Sequence, residues 1–387
     1  MNTFTPSLVQ KTRPVSGRLL ILLGLILMVF GCQAKDRSAM VTHRVWDEWA
    51  VGQVVDARTG LAVPMQPWLE GLATYDVIYL GEEHHNRSHI DAALTVLRSL
   101  MSQGRRPWLA MEMFGWDGQP ALARYLRSEE SIRSEFLEQV AWKQNWGGAF
   151  EDYEPLAQFA KDQRLPLLAM NPPKSLIRQV VKQGLVQAKE QPEWRQWGME
   201  GEVIVDAPAY RSRILSQLQD CHGGGSPEDY QTMYEASMVR DEGMAKTLAA
   251  AMKQLRVEAS SGQGPLLSYT GGGHVQYRLP VPDRVARRVP EGLKQVTVYM
   301  ATFERERAAE LHQAMQEGIA DYVWLTPQGG SRTSSTLPIR ISSGGTNILR
   351  GLDPFLTIPP ACGMVVQVNL SYTQVSLDRW TSKVVIP

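Results

Sequence analysis

The chain is poor in cysteine, in net charge and in long apolar runs, and each shortage removes a class of function. Its 387 residues hold three cysteines, Cys32, Cys221 and Cys362, with no CxxC or other cysteine-rich spacing, so a cysteine-built metal centre is excluded. Lys+Arg and Asp+Glu number 40 each, which leaves no electrostatic footprint for nucleic acid. Neither a Gly-x-Ser-x-Gly elbow nor a P-loop occurs, which weakens serine-hydrolase and nucleotide readings. The apolar stretch at residues 19–30 is twelve residues long, broken only by Gly24, and falls short of the ~20 residues that span a bilayer.

That stretch follows Lys11, Arg13 and Arg18, the arrangement of a secretory signal, and ends in Val29-Phe30-Gly31-Cys32. This junction resembles a bacterial lipobox, which makes residues 1–32 a lipoprotein signal and Cys32 the lipidated first residue of the mature chain. Gln33 is not the aspartate of inner-membrane retention, so the resemblance implies an outer-membrane protein, lipid-anchored and facing the periplasm. The mature 356 residues would carry 37 Lys+Arg against 40 Asp+Glu, and in an exported chain Cys221 and Cys362 could pair.

After a tether and lead-in over residues 33–70, strand and helix signals alternate. Apolar, β-rich runs at 76–80, 108–111, 165–170, 265–270, 295–302 and 321–325 read as buried strands. Between them Asn86 caps a helix to about Gln103 with Ile90, Leu94, Leu97 and Leu100 on one face, and helices follow at 155–161, from Pro172-Pro173 to Lys182, and at 229–255. The expected fold is α/β over residues 71–325, a mainly parallel sheet flanked by helices. Tryptophan-rich helical insertions at 113–153 and 189–229 lie over the strand carboxyl edge, and residues 326–387 form a small β-rich module.

Two of the strand runs end in Gly-x-x-His, as Gly81-Glu82-Glu83-His84 and Gly271-Gly272-Gly273-His274, and a third stops at Glu112. Open α/β sheets bind ligands where strand carboxyl ends meet loops, so Glu82, His84, Glu112 and His274 are expected in one crevice. Imidazoles with carboxylates suit a divalent metal or acid/base chemistry. Either acid could merely cap a helix, but two acids with two histidines exceed what capping requires. His85, adjacent to His84, reads as exposed or structural.

The run Leu80-Gly81-Glu82-Glu83-His84-His85-Asn86-Arg87-Ser88-His89 resembles the signature of the ChaN-like haem-binding lipoproteins, within the wider Tiki, TraB and erythromycin-esterase superfamily. Matching pieces follow in order: Glu112-Met113-Phe114, Tyr153-Glu154-Pro155-Leu156, Ala169-Met170-Asn171, Arg240-Asp241-Glu242-Gly243-Met244-Ala245 and Gly273-His274-Val275. The chain departs from the family at Leu279-Pro280-Val281-Pro282, where a Gly-Val-Pro turn is usual.

The resemblance implies a haem-binding protein of haem or iron uptake, with an outer-membrane haem receptor and a homodimer as further expectations. Haem is a wide apolar plate that wants aromatic faces, an axial Tyr or His, and cations at its rim. Tyr153, in a matching motif, is the expected axial ligand, with His84, His89 and His274 nearby and Trp116 and Trp146 as faces. Trp142, Trp194, Trp197 and Tyr210 could add aromatic surface, and Arg124, Lys143 or Arg211 could meet the propionates. The rival is a metal-dependent hydrolase or protease in which His84, His274 and Glu112 hold a divalent metal while Glu82 activates its water. A scaffold that docks a partner through its β-rich tail is a third reading.

Overall fold

The computed structural model describes residues 44–329 apart from 128–131, 222–223, 258–261 and 290. The signal and lipobox with Cys32, the Cys221–Cys362 pairing, and all but the first residues of the 326–387 module lie outside the described residues.

From Val45 onward an eight-stranded sheet runs through the structure in the order β2-β1-β8-β7-β3-β6-β4-β5. The strands are β1 (Val54–Asp56), β2 (Ala62–Val63), β3 (Val77–Glu82), β4 (Arg106–Gly115), β5 (Leu167–Asn171), β6 (Gln263–Gly271), β7 (Gln295–Thr302) and β8 (Tyr322–Thr326). The six from β8 to β5 are parallel, and β1 pairs antiparallel with both β2 and β8. Residues 54–63 thus add two strands at one side of the sheet, with β2 as its edge and β1 between β2 and β8.

Helices cover both faces, which is why the central strands read as continuous apolar runs rather than alternating ones. Ile78, Leu80, Leu109, Met111, Leu267 and Val298 face one layer, built by the helices Arg87–Ser102, Gln119–Arg127 and Phe150–Asp162. Val77, Tyr79, Trp108, Ala110 and Leu266 face the other, built by Val281–Arg288 and the carboxyl half of the 31-residue helix Pro227–Val257. Asn86 caps Arg87–Ser102 by accepting from the Ser88 N–H, and that helix buries Ile90, Leu94, Leu97 and Leu100 as its 3.6-residue period requires. None of the described helices is long and apolar enough to cross a membrane.

Three strands place the site. β6 lies between β3 and β4, with Glu82 opposite Gly271 and Met111 opposite Tyr269. β4 runs beyond the expected 108–111, and its register against β5 shifts between Met111 and Gly115. Glu112 therefore sits at an irregularity inside a strand rather than after its end.

Candidate functional site

The site is built in two layers, an inner one of buried carboxylates and an outer one of half-exposed rings. Glu82, the last residue of β3, is fully buried. Its Oε1 accepts from the Tyr153 hydroxyl (3.0 Å) and meets His84 Nδ1 at 2.9 Å, while Oε2 accepts from the Tyr269 hydroxyl at 2.6 Å. Glu112 Oε2 accepts from the Thr270 hydroxyl (2.6 Å) and the Gly271 N–H (2.7 Å), and Oε1 lies 3.3 Å from His274 Nε2. The other nitrogen of His274 meets Asp241 Oδ1 at 2.6 Å, and Tyr210 donates to Asp241 Oδ2 at 2.5 Å. Gly271 permits this density, because a Cβ there would stand 2.7 Å from His84 Cε1.

Carboxylates removed from water must be compensated, and here the imidazoles do it. Burial works against a charged His274, yet Glu112 and Asp241 outweigh it and lift its pKa to about 9. Burial likewise pushes Glu112 up, but His274 and His84 hold it well below the usual carboxylate range. His84 is raised as well, since the hydrogen bond and charge of Glu82 overcome desolvation. Burial first and carboxylate neighbours second push Tyr153, Tyr210 and Tyr269 well up, so these phenols remain hydroxyl donors.

The outer layer is carried by the β3 loop and the first insertion. The His84 and His85 side chains are 30% and 37% exposed. His85 has a left-handed backbone (φ 64°), which costs a non-glycine residue about 1–2 kcal/mol. Its N–H donates to Tyr153 Oη (2.9 Å), and its Nδ1 meets the buried Asp152 carboxylate at 2.8 Å. Trp146 stands edge-on to His84, with centroids 4.8 Å apart, and tilted at 6.3 Å from His85.

Glu82, His84, Glu112, His274 and Trp146 are thus brought to one edge, but several expected roles do not match the positions found. Among the described residues no group of three or more His, Cys, Asp or Glu is placed to hold a metal ion. The carboxylates expected as metal ligands spend their oxygens on Tyr153, Tyr269, Thr270, the Gly271 N–H and the histidines. His274 has both ring nitrogens on carboxylates and none to offer a ligand. His89 is fully buried, with Nδ1 accepting from the Glu83 N–H and Nε2 meeting Thr326 Oγ1; desolvation lowers its pKa to about 3, so it is a neutral structural residue.

Tyr153 is also fully buried, its oxygen shared between Glu82 and the His85 N–H, so as placed it forms the wall behind the histidines. Trp116 donates to the Met170 carbonyl and Thr247 Oγ1 and ties the insertion to the sheet. Trp142 and Trp194 are core residues, and Arg211 is held by Asp206. Asp241, Tyr269, Asp152 and His85 are the additions, and Tyr210, expected as aromatic surface, instead turns its hydroxyl to Asp241. Asp241 lay within a matching motif, where it splits from its neighbour: Asp241 turns to His274, while Glu242 is held by Arg284, Arg287 and Arg288.

A family described as "Haem-binding uptake, Tiki superfamily, ChaN" matches residues 68–285. The chain belongs to this family. Its fold is that of ChaN of Campylobacter jejuni, solved in a study of cofacial haem binding: the two share 18% identity, the match covers 70% of this chain and 95% of that one, and the TM-score is 0.53. A curated relative, Protein RETICULATA-RELATED 5, chloroplastic, of Arabidopsis thaliana, is 24% identical over 307 residues. That match covers 75% of this chain but 39% of the plant protein, so the chain spans about two-fifths of its length.

Proposed function

We propose that this protein binds haem on the open edge formed by His84, His85 and Trp146, as a lipid-anchored component of haem or iron uptake. One observation carries the reading. Two adjacent, part-exposed imidazoles each have Nδ1 tied to a buried carboxylate, and neither Nε2 has a partner among the described residues. A carboxylate on one ring nitrogen fixes the tautomer and leaves the other as a lone-pair donor, which is how proteins prepare a histidine for a metal centre. The Trp146 indole supplies an apolar face beside them for the plate.

Haem is cargo here, so an open face that gives it up suits uptake better than a closed pocket. The cofacial haem of the Campylobacter jejuni protein supports a second copy covering the plate, and we include a homodimer in the proposal. Hemin titrated into the purified protein should give a saturable Soret band, weakened about tenfold in Trp146→Ala, a loss of about 1.4 kcal/mol. A titration without saturation would overturn the reading. The anchor is tested separately: Cys32→Ser should leave the chain unprocessed or release it from the membrane fraction, and unchanged fractionation with an unlipidated wild-type N-terminus would end that part.

A further inference from the structure

β3 and β7 are adjacent and parallel, but the chain leaves them towards opposite faces of the sheet. After β3 it enters the helix Arg87–Ser102, which packs with Ile78, Leu80 and Val298 on one face. After β7 it enters the helix Ala308–Gln316, whose Leu311, Ala314 and Met315 pack with Tyr299 and Ala301 on the other. Where neighbouring strands send their helices to opposite faces, their carboxyl ends part and leave a crevice, the place where open α/β sheets bind ligands. The acid–histidine network lies on the other side of β3, towards β6 and β4, so this crevice is a separate one.

A cavity of about 40 Å³ occupies it, lined by Glu83, Tyr299, Thr302, Arg307 and Glu310, with Leu311 as an apolar wall. That volume admits roughly three waters, or a polar head on a short stem. Tyr299 shows that something is missing there. The residue is only 2% exposed, and its hydroxyl has no hydrogen-bond partner among the described residues. Buried hydroxyls ordinarily find partners, so one left open at a cavity wall marks where a ligand supplies its own. Burial first and the Glu83 carboxylate second push the Tyr299 pKa well up, so it stays a neutral phenol whose oxygen can accept.

The charge around that oxygen fixes the sign of the ligand. Glu83 accepts from the Thr302 N–H (3.0 Å), the Thr302 hydroxyl (2.5 Å) and Asn86 Nδ2 (3.2 Å), yet no cation among the described residues pairs with it. Glu304, at the cavity rim, has none either, and Arg307 is engaged by Glu310, with Nε 3.1 Å from Oε2. Three carboxylates therefore face one guanidinium, and an anion would meet the excess. A metal ion is not matched, because no group of three or more His, Cys, Asp or Glu among the described residues is placed to hold one. An ammonium is matched: it is positive, brings three N–H donors and accepts looser spacing than a metal does.

We propose that the crevice between β3 and β7 binds a small primary alkylammonium, with its head on Glu83 and the Tyr299 oxygen and its stem against Leu311. The site stands apart from the haem reading.

The test is calorimetric titration of the full chain with ethylammonium chloride, which should saturate. Tetramethylammonium, which has the charge without N–H donors, and propionate, which has the opposite charge, should not bind. Tyr299→Phe keeps the ring and removes a hydroxyl that has no partner, so its thermal midpoint should stay at or above wild type while ethylammonium binds at least about tenfold more weakly. Glu83→Gln should weaken binding by at least about tenfold as well. A parallel titration with Nα-acetyl-lysine methylamide separates a free amine from a lysine of another protein, and the free amine should bind more tightly. No saturation by ethylammonium, equal binding of tetramethylammonium or propionate, or wild-type affinity in Tyr299→Phe would overturn the site. Tighter binding of the lysine compound would overturn the free amine and put a partner's lysine in its place.

Discussion

His274 Nε2 lies 3.3 Å from Glu112 Oε1 while its Nδ1 is 2.6 Å from Asp241 Oδ1, so one imidazole bridges a strand carboxylate and a helix carboxylate. The ring joins β4 to the middle of the helix Pro227–Val257, and the two carboxylates favour its charged form over the opposing effect of burial. Removing either carboxylate would change the protonation of the third group, so the three behave as one unit.

The bridge makes stability depend on alkaline pH. The folded pKa of His274, about 9, lies above the unfolded value of about 6.5, so its stabilisation is complete below pH 6.5 and is lost as pH rises through about 9. A shift of that size corresponds to roughly 3 kcal/mol. Melting temperatures measured from pH 6 to 10 should fall across this window, and the slope should flatten in His274→Gln. A variant that kept the wild-type slope would refute the bridge.

His89 acts in the opposite sense. Its folded pKa of about 3 lies below the unfolded 6.5, so between these values the folded chain binds fewer protons and loses stability as pH falls. Denaturant midpoints should decline from pH 6.5 towards 3, more steeply in the wild type than in His89→Gln. Equal slopes would show that the acid limb has another origin.

Much of this edge was legible in the sequence because a parallel sheet aligns its strand ends. Glu82, His84, Glu112 and His274 each followed a buried apolar run, and adjacency of β3, β6 and β4 then brings them together. Burial within the site was not legible. Tyr153 and His89 carried the right chemistry in the right motif, yet helix phase turned both inward, and a one-residue difference in phase decides whether a ring faces solvent or core. Helical geometry would turn His85 away from His84, but its backbone is left-handed, a state sequence patterns rarely signal outside glycine and asparagine. Tyr210 reads in the sequence only as aromatic surface; the partnership of its hydroxyl with Asp241 arises because the insertion folds back over the long helix.

Glu82 is the acceptor for two buried hydroxyls and one imidazole, and an amide cannot replace it. Glu82→Gln keeps one good acceptor oxygen and turns an NH2 towards a donor, leaving at least one buried group unpaired. The expected loss is about 1–3 kcal/mol by chemical denaturation. Tyr153→Phe, which removes one of the donors, should partly offset it in the double variant because the unpaired group is then gone. Strict additivity of the two changes would argue that Tyr153 and Glu82 are not coupled.

Gly271 separates packing from binding. A Cβ there would stand 2.7 Å from His84 Cε1 and 3.5 Å from Glu112 Oε2, and nothing about its backbone φ demands glycine. Gly271→Ala therefore fits the strand but forces the His84 ring to move, and since 30% of that side chain is exposed the ring can swing outward. Stability should change little, by about 1 kcal/mol, because outward movement of one ring relieves the overlap. The Glu82–His84 hydrogen bond should be lost, and NMR titration should show the His84 pKa falling from its raised value as its carboxylate partner is removed. The same displaced ring should obstruct the open edge and weaken hemin binding. Retention of both the raised His84 pKa and wild-type hemin affinity in Gly271→Ala would mean that His84 does not pack against this glycine, and that the inner network does not shape the outer face.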